Sequence, residues 1–257
     1  MTTVQSAAIK FTRLATGEEQ HSLAKSVFLH LTPGVVVTLL YILLAPPLLK
    51  LGLPNLLTFN LAAIGVLVPL ELWILFSEGK RKTGRYTLQG VVLYREHIPM
   101  WQLAGLAFGQ LVWMGVCFSL VSPRIDPLVQ KTLFAWVPAW FPLATNFTGY
   151  PKGVVVLTLA ISLVCTSWIA PFVEEYYFRG YLLPRLSRFG SLAPVINVAL
   201  FSLYHFFTPW QALTRILAVT PLAWVVMRKR NLYISIAAHL ALNTIGLLPA
   251  LLRMLAH

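Results

Sequence analysis

GVVVLTLAISLVCTSWIAPFVEEYYFRG, residues 153–180, begins as an uncharged run and ends in two adjacent carboxylates, Glu174 and Glu175, followed by Arg179. From 153 to 173 there is no charged side chain. At about 1.5 Å per residue, that stretch as a helix is long enough to cross a hydrocarbon core of roughly 30 Å. Ionisable groups inside a membrane cost free energy, and they face a partner or a cavity. The end of this run is therefore where a site is to be looked for.

The rest of the chain has the same character. Of 257 residues, 58% are hydrophobic and 11% charged, against about a quarter charged in a soluble domain. The composition predicts an all-α, polytopic transmembrane helix bundle of about seven spans, within a range of six to eight. Apolar runs place them at 31–49, 55–77, 100–121, 153–184, 192–208, 211–227 and 232–255. Residues 1–30 are polar and mixed in charge. They read as a cytoplasmic N-terminal segment without a cleavable signal, with the first helix as an uncleaved signal-anchor. Residues 31–257 read as a single bundle. The aromatic- and proline-rich segment 122–152 reads as an interfacial loop, with a re-entrant element as the alternative.

The net charge of +12 does not point to nucleic acid. Basic residues cluster between apolar runs, in GKRKTGR (79–85), RLSR (185–188) and RKR (228–230), as in cytoplasmic loops of a membrane protein. With the N-terminus inside, thirteen Lys and Arg fall on inner segments and five on outer ones, while Arg179 and Arg215 lie within or near spans. The bias predicts an N-terminus inside and a C-terminus outside, and the expected location is the cell membrane. Cys117 and Cys165 sit in apolar runs without metal-type spacing, so no disulfide framework is expected.

Two further polar groups of residues interrupt the late spans, FSLYH (201–205) and HLALN (239–243). Counting from the inner basic clusters, Glu174 lies ~16 Å in, His205 ~21 Å, His239 ~14 Å and Asn243 ~20 Å. Four polar side chains from three helices can meet at one level. His239 and Asn243 are four apart and share a helix face, as do Glu175 and Arg179, acid before base. Glu174 is rotated by about 100° from Glu175 and need not share the arginine. Glu71 in the second span reads as a structural acid paired with an arginine.

EEYYFR fits Glu-Glu-x-x-x-Arg, FSLYH fits Phe-x-x-x-His and HLALN fits His-x-x-x-Asn. In this order, over 153–245, they resemble the CPBP family of intramembrane proteases. That family takes in the type II CAAX prenyl endopeptidases and the bacteriocin-processing or immunity (Abi) proteins. The resemblance implies a protease-like core at 153–245, in which Glu174 is a general base assisted by His205. His239 and Asn243 would hold the oxyanion, and Glu175 with Arg179 would be an orienting pair. It implies hydrolysis of a membrane-associated or C-terminally prenylated substrate, with membrane lipid as the surrounding partner. Metal use stays open. Glu174, His205 and His239 are ligand types that a divalent ion such as Zn²⁺ takes, which would make the protein a metalloendopeptidase. The same groups can also activate water unaided. The rival readings are a non-catalytic scaffold or immunity protein of the same fold, and a proton- or ion-coupled transporter. The second predicts inverted repeats, of which the sequence shows none.

Overall fold

A computed structural model describes residues 19–143 and 147–256. Lys10 and Arg13, counted above on the inner side, lie outside the described residues, as does most of the 1–30 segment. Among the described residues there are no strands, only an isolated bridge between Arg95 and Asn231. Six helices among the described residues are long and apolar enough to cross a membrane, at the lower end of the expected six to eight. They are α1 (Leu23–Lys50), α2 (Asn55–Thr83), α3 (Met100–Leu133), a 53-residue stretch Lys152–Tyr204, α6 (Pro209–Lys229) and α7 (Tyr233–Ala256).

The long stretch contains both the expected fourth and fifth spans. As one straight rod it would measure about 80 Å, far more than a membrane needs. Gly190 breaks it, with φ 56° and ψ −126°, a conformation that a side chain would strain. The two arms are α4 (152–192) and α5 (Ala193–Tyr204). They run back along each other: Asn197 Nδ2 on α5 donates to the Phe178 carbonyl at 3.1 Å, and the Phe178 and Phe201 rings meet edge to face at 4.9 Å. With twelve residues, α5 extends only about 18 Å. It therefore ends at His205 inside the bundle rather than on its far side.

Several boundaries differ from the hydropathy reading, and two of them show their cause. Helix α1 starts earlier than 31 because Ser22 caps it, its hydroxyl accepting the Lys25 N–H at 3.1 Å. Helix α3 continues past 121 to Leu133 through a wider π turn at Cys117–Val121. The polar residues of 122–133 are helical because they have partners. Asp126 accepts the Ser122 hydroxyl at 2.5 Å and the Thr214 hydroxyl of α6 at 2.6 Å. Beyond α3 the aromatics fold onto the bundle. The Tyr41 hydroxyl donates to the Phe141 carbonyl at 2.7 Å, and Phe141 packs against Tyr41 and Trp210.

The basic clusters gather at one end of the molecule. The connection after α2 bonds to α4 through Leu93 N–H to the Gly180 carbonyl and Arg185 Nη1 to the Val91 carbonyl. It meets the start of α7 through Leu232 N–H to the Tyr94 carbonyl, and Glu96 pairs with Arg230 at 3.0 Å. Residues 19–22 are tied to the same end. Glu19 pairs with Lys25 and Arg81, Gln20 donates to the Pro184 carbonyl, and the His21 N–H donates to the Arg185 carbonyl.

These contacts can be tested at two residues. A Cβ on Gly34 of α1 would stand 1.9 Å from the Tyr204 carbonyl oxygen, a backbone atom that cannot step aside. Gly34→Ala is expected to push α1 off the end of α5 and cost about 1–3 kcal/mol, read as a lower melting temperature in detergent. His21 is buried with no hydrogen bond to its ring, and burial pushes its pKa from 6.5 down to about 4. The cations of Lys25 and Arg185 act in the same direction, and Glu19 and Glu78 oppose them. The folded value is the lower one, so docking of 19–22 is full above pH 6.5 and drains as the pH falls toward 4. Hydrogen exchange at the His21 amide, corrected for intrinsic rate, should rise over that window. His21→Phe should flatten the dependence.

Candidate active site

The charged end of the opening stretch is built on irregular helix. Glu174 closes a short α segment, Ala170–Glu174, and Glu175–Leu182 is wound as a π-helix. Within this turn Glu175 still reaches Arg179 four residues on, Oε2 to Nε at 3.4 Å. Both are almost wholly buried, and the guanidinium lies over the Phe201 ring, 4.1 Å from its centre. Phe201 supplies the aromatic face on which the arginine's charge is accommodated.

Glu175 does more than pair with Arg179. Its other oxygen, Oε1, contacts His239 Nδ1 of α7 at 2.9 Å. The motifs marked Glu175 and Arg179 as an orienting pair, and one carboxylate joins that pair to His239. With Nδ1 donating to Glu175, the Nε2 of His239 is left for the cavity. It is an acceptor in the neutral ring and a donor once the ring has taken a proton.

Glu174 is held by a different group. Its Oε1 accepts the Tyr204 hydroxyl at 2.9 Å, leaving Oε2 for another partner. Tyr204 is the fourth residue of FSLYH, and a tyrosine in an apolar run reads as packing, so nothing in the spacing singled it out. His205 follows it at the end of α5, and His205 Nδ1 donates to the Phe201 carbonyl at 2.7 Å. That bond fixes the tautomer, since a carbonyl only accepts, and it leaves Nε2 with a free lone pair. Asn243, one turn beyond His239, donates from Nδ2 to the Thr166 carbonyl of α4 at 2.9 Å, which anchors the amide.

Glu174, Glu175, Arg179, His205, His239 and Asn243 all line one cavity of about 260 Å³. Phe59, Met114, Phe118 and Phe207 form part of its apolar wall. Arg215 and Gln211 of α6 line it as well. Neither was singled out from the sequence, where Arg215 stood only as a cation near a span. The three candidate metal ligands share this cavity without converging on one point. Among the described residues, no three His, Cys, Asp or Glu side chains are grouped as a metal ion needs. Their hydrogen bonds run elsewhere, to Tyr204, Phe201 and Glu175. As arranged, Glu174, His205 and His239 do not fit the ligand set of a single divalent ion.

Glu71 differs from expectation. It is fully buried on α2, close enough to Glu174 and Glu175 for their charges to be felt, and neither of its oxygens has a hydrogen-bond partner. Among the described residues, no arginine pairs with it.

The family comparison falls on this part of the chain. Residues 156–245 match the family model of the Rce1-like type II CAAX prenyl endopeptidases. The match agrees with the resemblance carried by the three motifs, and it takes in every residue named in them. It spans well under half of the chain. Neither the curated proteins nor the solved structures give a significant match.

The two carboxylates without catalytic claims are predicted to respond in opposite directions. Glu175→Gln strands the Arg179 charge and frees His239, and a broken buried pair costs about 3–5 kcal/mol. Glu71→Gln removes a buried carboxylate that has no cation to offset it, so stability should hold or rise. Melting temperatures of the two variants in one detergent separate the cases. Replacing Arg179 with Met in the Glu175→Gln background should recover part of the loss.

Proposed function

We propose that the protein is a CAAX-type intramembrane endopeptidase, hydrolysing a peptide bond of a C-terminally prenylated or other membrane-associated substrate with water activated by Glu174. The observation that carries this reading is the meeting of Glu174, His205, His239 and Asn243 on one cavity within an apolar bundle. Support also comes from the family match over the same residues.

The chemistry follows from which atoms remain free. A water in the cavity has two O–H bonds to give, and two acceptors face it: Glu174 Oε2 and His205 Nε2. Glu174 takes one proton as the water oxygen bonds to the scissile carbonyl carbon. The carbonyl's π pair moves onto its oxygen, and the second N–H of Asn243 Nδ2 and a protonated His239 donate to the resulting oxyanion. When the C–N bond breaks, Glu174 returns its proton to the leaving amine. Tyr204 keeps the Glu174 carboxylate oriented throughout, and Glu175 does the same for His239. Hydrolysis begins and ends with the same protonation states.

We also place residues 31–257 in the cell membrane as one bundle, with the 79–85 and 228–230 clusters on the cytoplasmic side and the C-terminus outside. The gathering of the basic clusters at one end of the molecule supports that orientation.

The test is turnover of a CAAX-type peptide by purified protein. Glu174→Gln keeps the side chain's size and its bond from Tyr204 but removes the base. A loss of about 100-fold or more is expected, with an unchanged melting temperature. Undiminished turnover in that variant would overturn the assignment.

A further inference from the structure

Arg215 is 7% exposed and lines the cavity, yet its hydrogen bonds go only to neutral acceptors. Nη1 donates to the Ser202 carbonyl at 3.3 Å, and Nη2 to the Thr208 hydroxyl at 3.0 Å and the Gln211 amide oxygen at 3.1 Å. Among the described residues, no carboxylate lies within ion-pair distance of it. The acids whose charge reaches it are Glu174 and Asp126, and both are held by hydroxyls, Glu174 by Tyr204 and Asp126 by Ser122 and Thr214. The contrast is with Arg179, which is also buried in this wall but has Glu175 as its counter-ion. A buried guanidinium facing a cavity without its own anion is a place for an anion from outside. The start of α6, with Gln211 on the cavity wall, adds the positive end of a helix to the same side.

We infer that Arg215 receives the free C-terminal carboxylate of the substrate, so that the protein recognises the end of a chain and not only a scissile bond. This rests on the endopeptidase reading, in which a short C-terminal fragment is released. In an extended chain the terminal carboxylate of a three-residue fragment lies roughly 10 Å from the bond being cut. Arg215 is anchored at Ser202, about one helical turn before His205, and shares a cavity with Glu174. Both ends of such a fragment, the bond that is cut and the terminal carboxylate, would then lie in this one cavity, which Glu174 and Arg215 both line. A longer C-terminal tail would have to carry its carboxylate past Arg215, and an amidated end would leave the cation unmatched.

Two fluorescent peptides test this. Each has an S-prenyl cysteine followed by three apolar residues, one ending in a free carboxylate and the other in a carboxamide. Binding is measured with full-length Glu174→Gln protein in detergent, and hydrolysis with the unmodified protein. The acid should bind about 10- to 100-fold more tightly than the amide. Adding Arg215→Gln should erase the difference, and Arg215→Lys should keep part of it. Equal affinity of the two peptides with Arg215 intact overturns the inference, and that comparison needs no folded Arg215 variant. So does a preference that survives in Arg215→Gln at an unchanged melting temperature. Hydrolysis without a preference for the acid keeps the endopeptidase and removes the carboxylate site. Preferential binding of the acid without hydrolysis does the reverse.

Discussion

Glu175 holds two helices together by a single carboxylate. One oxygen neutralises Arg179 on its own helix, and the other fixes His239 on α7. In an apolar bundle each of these charges alone would be prohibitive, and each is admissible because the others are present. The position of α7 against α4, the orientation of the His239 ring and the burial of Arg179 beneath Phe201 are therefore one arrangement. Among the described residues, Glu174, immediately before it in sequence, has no salt bridge and meets the Tyr204 hydroxyl. The pair Glu-Glu thus divides into a carboxylate that builds the wall and one that faces the space inside it.

The parts of this arrangement that could be read from the sequence are those where polarity intrudes on an apolar run. Glu174, Glu175, Arg179, His205, His239 and Asn243 stood out because lipid-embedded helices rarely carry such groups, and their depths could be counted from the basic clusters. Family resemblance added roles to positions already marked. The helical class followed from composition, and most helix positions from apolar length.

Other features had no such signal. The bond from His239 to Glu175 crosses between helices and depends on ring orientation. Tyr204 is amphipathic and common in apolar segments, so its hydroxyl's use could not be inferred from spacing. Helix α3 outran its hydropathy because Asp126 found hydroxyl partners in Ser122 of its own helix and Thr214 of α6. The fourth and fifth spans are two helices, as their apolar runs suggested, but the sharpness of the reversal between them comes from the backbone at Gly190 and carried no hydropathy signal. Arg215 was legible only as a cation near a span. Its interest lies in the carboxylates that keep away from it, a property of three-dimensional placement alone.

The early stop of α5 has a consequence for how the site is put together. A helix that ends in water leaves its last carbonyls to the solvent, but one that ends inside an apolar bundle must find donors for them. Here the Phe201 carbonyl is taken by the ring of His205 and the Ser202 carbonyl by the guanidinium of Arg215. The groups that terminate the helix are the same ones that face the cavity. Replacing the imidazole at 205 thus removes a ring nitrogen from the cavity wall and uncaps a helix in one step. Structural closure and chemical equipment at this point cannot vary independently of one another.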